Sequence, residues 1–260
     1  MNVGAGQEQS FSPDNQFGET NPYAAPQSTP MPESSGSDVP VVPTPVEIGS
    51  VFNAAFEVWK ANLGLLVGVT LIVFMISGVF SAGSTILNLV AEQGEEEVKL
   101  AAALGSFMIS LISTVVNIFL GIGQTQIYLR LLRGQSAQVG DLFGGGSRFL
   151  PTLAVSILFG LAVGVGTVLC IIPGLVVGAL FWPCYYLVVD NKSKVIDSFT
   201  VAQKIGTANI GTTILLVLLG IGINLLGFLA CGVGILFAAP LVGLLWTTAY
   251  LGGAGQMRLP

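Results

Sequence analysis

The chain has 260 residues, of which just over half are apolar, only 9% are charged and 34 are glycine, with a formal net charge of −5 and a mean hydropathy of +0.81. A soluble domain carries roughly 25% charged residues, so a shortfall this large makes the bilayer the solvent for most of the chain. Histidine is absent, which removes the commonest general base and metal ligand, and the few Lys and Arg form no basic stripe of the kind nucleic acid requires.

Residues 1–45 are rich in Pro, Ser, Gly, Gln and Asn and contain acids but no Lys or Arg. Such a segment buries too little apolar area to offset its ordering entropy, and a disordered tail is expected there. Within it, "NPYAAP" (21–26) and "VPVVPTP" (39–45) favour extended, polyproline-like conformations. The first residues lack the basic and apolar regions of a signal peptide, so targeting is expected to come from the first membrane span.

From Val46 onward the charges partition the chain. Charge-free runs cover 61–91, 100–129, 149–189 and 205–257. A helix needs about 20 residues to cross roughly 30 Å of hydrocarbon. The first two runs hold one span each, and the last two hold two each if a turn divides them. "CIIPGL" (170–175) and "CGVG" (231–234) supply that turn chemistry. The expectation is an all-α integral membrane protein with six transmembrane helices arranged as three hairpins, in a domain spanning 46–260. A re-entrant loop after Pro173 is the alternative at the first turn.

With the N-terminus inside, Lys60, Arg130, Arg133, Arg148, Lys192, Lys194, Lys204 and Arg258 fall on the cytoplasmic side, and only Lys99 lies outside, beside the acidic "EQGEEE" (92–97). That bias predicts an inner-membrane protein with both termini in the cytoplasm.

Each hairpin is preceded by an amphipathic segment. In "VEIGSVFNAAFEVWKANLG" the apolar positions Ile48, Val51, Phe52, Ala55, Phe56 and Trp59 share one helical face. "VIDSFTVAQKIGTANIG" repeats the device with Val195, Phe199, Ala202 and Ile205 or Gly206, and "VGDLFGGGSRFLP" is a degenerate copy whose "GGG" is expected to interrupt its helix. The unit is therefore an interfacial helix followed by a transmembrane hairpin, used three times over approximately 46–133, 139–190 and 195–255. The recurring "ANLG" (61–64) and "ANIG" (208–211) mark the elbows, where Asn62 and Asn209 are expected to cap the incoming helix and Gly64 and Gly211 to permit close backbone approach.

The elbow, the "PGL" turn and "YYLVVD" leading into "KVIDSF" resemble a bacterial family of poorly characterised multi-spanning proteins related to the membrane domain attached to some glycerophosphodiester phosphodiesterases. The resemblance covers Val46 to about Gly255. It implies no catalytic residues, since the phosphodiesterase domain with its metal ligands is missing.

Inside the spans no ionisable residue stands out as an ion relay. Asp190 closes the fourth span and reads as an interfacial residue capping the following helix, or as a gate or headgroup contact. Tyr128, Tyr185, Tyr186 and Tyr250 read as an aromatic belt. Asn117, Asn224 and Gln124 are the candidate polar residues, either bonding between helices or lining a solute path. The pairs Gly64/Gly68, Gly160/Gly164 and Gly174/Gly178 permit close helix packing within a protomer or in a homo-oligomer. Cys170, Cys184 and Cys231 read as small buried hydrophobes. Without a base beside a nucleophile, and with no cofactor motif, an enzyme is not expected. The leading reading is a non-catalytic organiser that contacts membrane lipids, or a protein partner through its tail or interfacial helices. The alternative is a transporter or channel for a neutral or lipid-like solute.

Overall fold

A computed structural model describes residues 40–230 and 232–257. The tail before Pro40, Cys231 and Arg258 lie outside the described residues. Nine α-helices and one 3-10 helix account for the described elements. They are α1 (Ile48–Ala61), α2 (Leu63–Gln93), α3 (Glu96–Leu132), the 3-10 helix Val139–Arg148, α4 (Phe149–Leu169), α5 (Ile171–Phe181), α6 (Pro183–Val189), α7 (Val195–Ala208), α8 (Ile210–Leu229) and α9 (Ile235–Gly253). Six segments are long and apolar enough to cross a membrane: α2, α3, the 3-10 helix with α4, α5 with α6, α8 and α9.

Helices α2 and α3 run antiparallel. Ser77 Oγ donates to Asn117 Oδ1 at 2.7 Å and Ser106 Oγ to Asn88 Oδ1 at 3.2 Å, so the partner's index falls as the first rises. The two helices have 31 and 37 residues, about 46 and 55 Å at 1.5 Å per residue. They are the two longest single helices, and they expose Met75, Val79, Ile86, Leu104 and Phe107. Helix α9 is the opposite case. It packs on α1, α2, α3, α6 and α8, and its side chains from Leu244 to Gly253 are almost all buried.

The third charge-free run breaks at Cys170, whose φ of −170° and ψ of 147° end α4 and start α5. Pro173 and Gly174 lie inside the first turn of α5 rather than between the helices. Proline is tolerated there because its missing N–H is one that a helix start leaves unbonded anyway. Gly174 is needed for a different reason: a Cβ on it would overlap Thr167, because α4 and α5 cross there. A second interruption, at Trp182–Pro183, divides α5 from α6, since Pro183 cannot continue the hydrogen-bond ladder. Between α8 and α9 the chain turns through Gly232 at φ +76°, a conformation open to glycine at little cost.

The segment 139–148 does not lose its helix at the three glycines. It runs as a tight 3-10 helix through them, started by a reciprocal cap in which the Gln138 N–H donates to Asp141 Oδ2 at 2.8 Å. The glycines serve packing: a Cβ on Gly145 would sit 3.0 Å from Ile122, and one on Gly123 of α3 would overlap the Leu142 carbonyl. Helix α1 sets its fully buried Val51 and Ala55 against the bundle, where α9 is its main neighbour. Helix α7 packs on α5 and α6, with Gly206 so close to the Leu180 carbonyl that no side chain fits.

Candidate functional site

Much of the polar structure gathers at one end of the bundle, where α3 and α6 end, α7 meets α8, and α9 stops. We call this the basal end. The α7–α8 elbow lies there, whereas the α1–α2 elbow follows Trp59, whose indole N–H donates to Phe237 O at 3.1 Å in the first turn of α9. The two elbows have the same backbone, since Asn62 and Asn209 both show φ −125° and ψ 23°. Neither side chain caps the helix that follows. Each points back instead: Asn62 Nδ2 donates to Val58 O at 2.9 Å and Asn209 Nδ2 to Ile205 O at 3.0 Å. At Asn209 the amide thus serves a carbonyl that the end of the preceding helix would leave unpaired, whereas Val58 O also accepts the Asn62 backbone N–H at 3.1 Å. The close approach expected at Gly64 and Gly211 does not occur, since a Cβ on either would meet nothing within 4 Å.

The second elbow carries a further task. Residues 40–46 lie as an extended strap across the end of α9. The Val42 N–H donates to Ala254 O at 3.1 Å and the Thr44 N–H to Gly253 O at 3.0 Å. The Val46 N–H donates to Asn209 Oδ1 at 2.8 Å. Donors fall on every second residue, the period of an extended chain. The residues between them, Pro43 and Pro45, have no N–H to leave unpaired. The carbonyls of Gly253 and Ala254 are ones that a helix end leaves without a partner, so strap and helix complete each other. Asn209 Nδ2 also donates to Thr44 O at 3.0 Å, Thr212 Oγ1 to Val46 O at 2.6 Å and Gln256 Nε2 to Pro40 O at 3.1 Å. Gly255 adopts φ +66°, and a Cβ there would come within 2.8 Å of Val42 O. Residues 40–45, for which disorder is expected, thus have bonded backbone groups; the rest of that expectation lies outside the described residues.

Beside the strap, Asp190 joins three helices. Arg133, just past α3, donates from both terminal nitrogens to its two carboxylate oxygens at 2.7 Å. Tyr250 of α9 donates its hydroxyl to Oδ2 at 3.1 Å. The Asp190 side chain is 5% exposed and that of Arg133 27%. Burial alone would lower the Arg133 pKa, but the hydrogen bonds and charge of Asp190 outweigh it and hold the guanidinium above its ordinary range. Asp190 is thus a buried clasp and not a cap on α7, whose N-terminus it does not reach by any side-chain bond. Two more arginines tie the neighbouring loops: Arg130 to Asp141 at 2.8 Å and Arg148 to Asn191 Oδ1 at 2.6 Å.

The tyrosines do not form a lipid-facing belt. Tyr250 and Tyr128 are buried, and Tyr250 stacks on Tyr186 at 5.4 Å between ring centroids. Tyr186 meets Trp182 edge-on at 5.6 Å, and Trp182 meets Trp246 at 4.8 Å. This aromatic column was legible as helical spacing, Trp182/Tyr186 and Trp246/Tyr250 each being four apart. The pairing of Arg133 with Asp190 had no local signal.

Asn117 bonds between helices, accepting from Ser77 and donating to Ser113 O at 2.8 Å. Asn224 donates to Gly220 O of its own helix at 2.8 Å. Gln124 donates to the Tyr128 hydroxyl at 2.7 Å, where α9 passes so close that a Cβ on Gly243 would press on the Tyr128 ring. The three thus have separate partners: Asn117 on the α2–α3 pair, Gln124 under α9, and Asn224 on α8, which packs chiefly on α9. Among the described residues no group of His, Cys, Asp and Glu is placed to hold a metal ion. Comparison with protein-family models, with curated proteins and with solved structures finds no match for the chain.

Proposed function

We propose that this multi-pass membrane protein is a non-catalytic organiser that presents its N-terminal tail to a partner at the basal end. The observation that carries this reading is the strap. Residues 40–46 are bonded to the end of α9 and to Asn209, so Pro40 is held at a fixed point beside the second elbow. A tail without a role needs no such anchor. The separate pairing of Asn117, Gln124 and Asn224 supports the same reading over transport of a polar solute, which requires such groups to face one path.

The topology that belongs to the proposal is six spans as three hairpins, with the 3-10 helix and α7 lying on the cytoplasmic leaflet of the inner membrane and both termini inside; α1, expected on that leaflet too, packs instead along α9, from Val46 beside Asn209 to Trp59 beside Phe237. Support comes from Arg130 and Arg133 at the end of α3, Arg148 at the end of the 3-10 helix and Lys204 near the end of α7. The kinship with the membrane domain of glycerophosphodiester phosphodiesterases belongs to the proposal too, carried by the sequence resemblance.

The test is extraction into native-membrane nanodiscs, followed by mass spectrometry of what stays bound. The expected result is a protein partner that accompanies the full chain and is lost when residues 1–39 are removed with the strap kept. A stoichiometric small solute with no protein partner, unaffected by that deletion, would replace the organiser with a transporter.

A further inference from the structure

Two apolar cavities on the flank of the bundle share a wall. One, of about 280 Å³, lies between α4, α5 and α8 and reaches Gly178, Trp182, Thr213, Val217 and Trp246. The other, of about 560 Å³, continues along α8 and α9 past Gly220, Asn224, Leu225 and Val242. Val217 and Trp246 line both. They are therefore two stretches of one groove that follows α8 from Thr213 to Leu225.

Three observations identify what fills it. The first is position: the walls are helices long and apolar enough to span a membrane, and the rim residues Ile171, Leu175, Ile221 and Leu225 are each more than half exposed, so the groove opens sideways toward hydrocarbon. The second is length. Thr213 and Leu225 stand about 18 Å apart along a helix, and one leaflet supplies about 15 Å of hydrocarbon, half the bilayer core. The third is chemistry. The Trp182 indole N–H is taken by Thr213 Oγ1 at 3.2 Å, the Thr167 hydroxyl by Val163 O at 2.8 Å and the Asn224 amide by Gly220 O at 2.8 Å. With these donors engaged by the protein and the rest of the lining almost wholly apolar, the groove gives a polar solute little to replace its lost hydration, whereas a methylene chain gains dispersion contacts along Trp182, Trp246 and Val217.

We propose that this groove is a binding site for one acyl chain of a bilayer lipid, lying alongside α8. The site does not rest on the docking role of the tail, and the two are tested separately.

The deciding variant is Gly178→Leu. A Cβ at Gly178 meets nothing within 4 Å, so the new side chain enters the groove without displacing backbone. Gly160→Leu is the control, equally open and outside the lining of both cavities. The full chain is purified in non-ionic detergent, washed, and weighed by native mass spectrometry. In parallel, each protein is reconstituted in phosphatidylcholine brominated along one acyl chain, and quenching of tryptophan fluorescence is recorded. The expected result is one lipid per chain on the parent protein and on Gly160→Leu. Retention should fall at least tenfold in Gly178→Leu, with a matching loss of quenching. Equal retention and quenching in all three proteins would overturn the proposal. So would a groove occupied by a second copy, seen as a lipid-free dimer that Gly178→Leu alone dissociates.

Discussion

The two elbows make a controlled comparison, because the same residue in the same backbone conformation does different work. Replacing Asn62 by Ala removes one hydrogen bond, to Val58 O. Replacing Asn209 by Ala removes the equivalent bond to Ile205 O and also the two that grip the strap, from the Val46 N–H and to Thr44 O. A side-chain hydrogen bond is worth about 1 kcal/mol net. The expected losses are thus about 1 kcal/mol for Asn62→Ala and about 3 kcal/mol for Asn209→Ala. The difference of about 2 kcal/mol belongs to the strap and corresponds to roughly a thirtyfold rise in its opening equilibrium. Unfolding in mixed micelles with increasing SDS, followed by tryptophan fluorescence, measures the first quantity. Cleavage within 40–46 by a broad-specificity protease measures the second. Equal destabilisation by the two substitutions, or a strap that stays as protected in Asn209→Ala as in the parent, would refute the claim that the second elbow anchors the tail.

Proline phase gives an independent check of the strap. Thr44→Pro deletes the donor to Gly253 O and should release the strap to protease, whereas Pro43→Ala, at a position that donates nothing, should leave it protected. Gly123→Ala drives a Cβ into the Leu142 carbonyl. It should cost about 1–3 kcal/mol in the same SDS titration, against no loss for Gly160→Ala, which has open space. Asp190→Asn leaves the Arg133 charge partly buried without its counter-ion and should cost about 3 kcal/mol, as removal of one partner from a buried pair does; a loss below about 0.5 kcal/mol, the scale of exposed pairs, would show that the clasp is not structural. A raised arginine pKa stabilises the fold below the unfolded value and loses that contribution only as pH rises through the folded one. The Arg133 side of the clasp should therefore add no pH dependence to unfolding between pH 6 and about 9, read as a constant SDS midpoint across that range in buffers of equal ionic strength.

The sequence by itself determined where the chain enters hydrocarbon. Charge-free runs of sufficient length need no tertiary information, because an unpaired charge or an unbonded backbone is too costly there. The recurring "AN[L/I]G" coincides with the helix breaks at Asn62 and Asn209, and Val51 and Ala55, two of the apolar positions spaced along 48–59, are those that α1 buries. What the motif could not disclose was how Asn is used. Whether an amide bonds forward to a new helix or back to the old one depends on which groups the final path leaves unpaired, and at Asn209 it depends on a strap 163 positions away. The same holds for Asp190, whose partners Arg133 and Tyr250 come from other helices, and for the tyrosines that fold inward to stack. Glycines follow this rule as well. Gly123, Gly174 and Gly206 are indispensable and Gly64, Gly160 and Gly211 stand in open space, though all are one letter in the sequence. Hydropathy is a property each residue carries alone, so it is legible in order along the chain. Close packing and buried polar pairing are properties of two residues at once, and only the tertiary structure brings the second one into place.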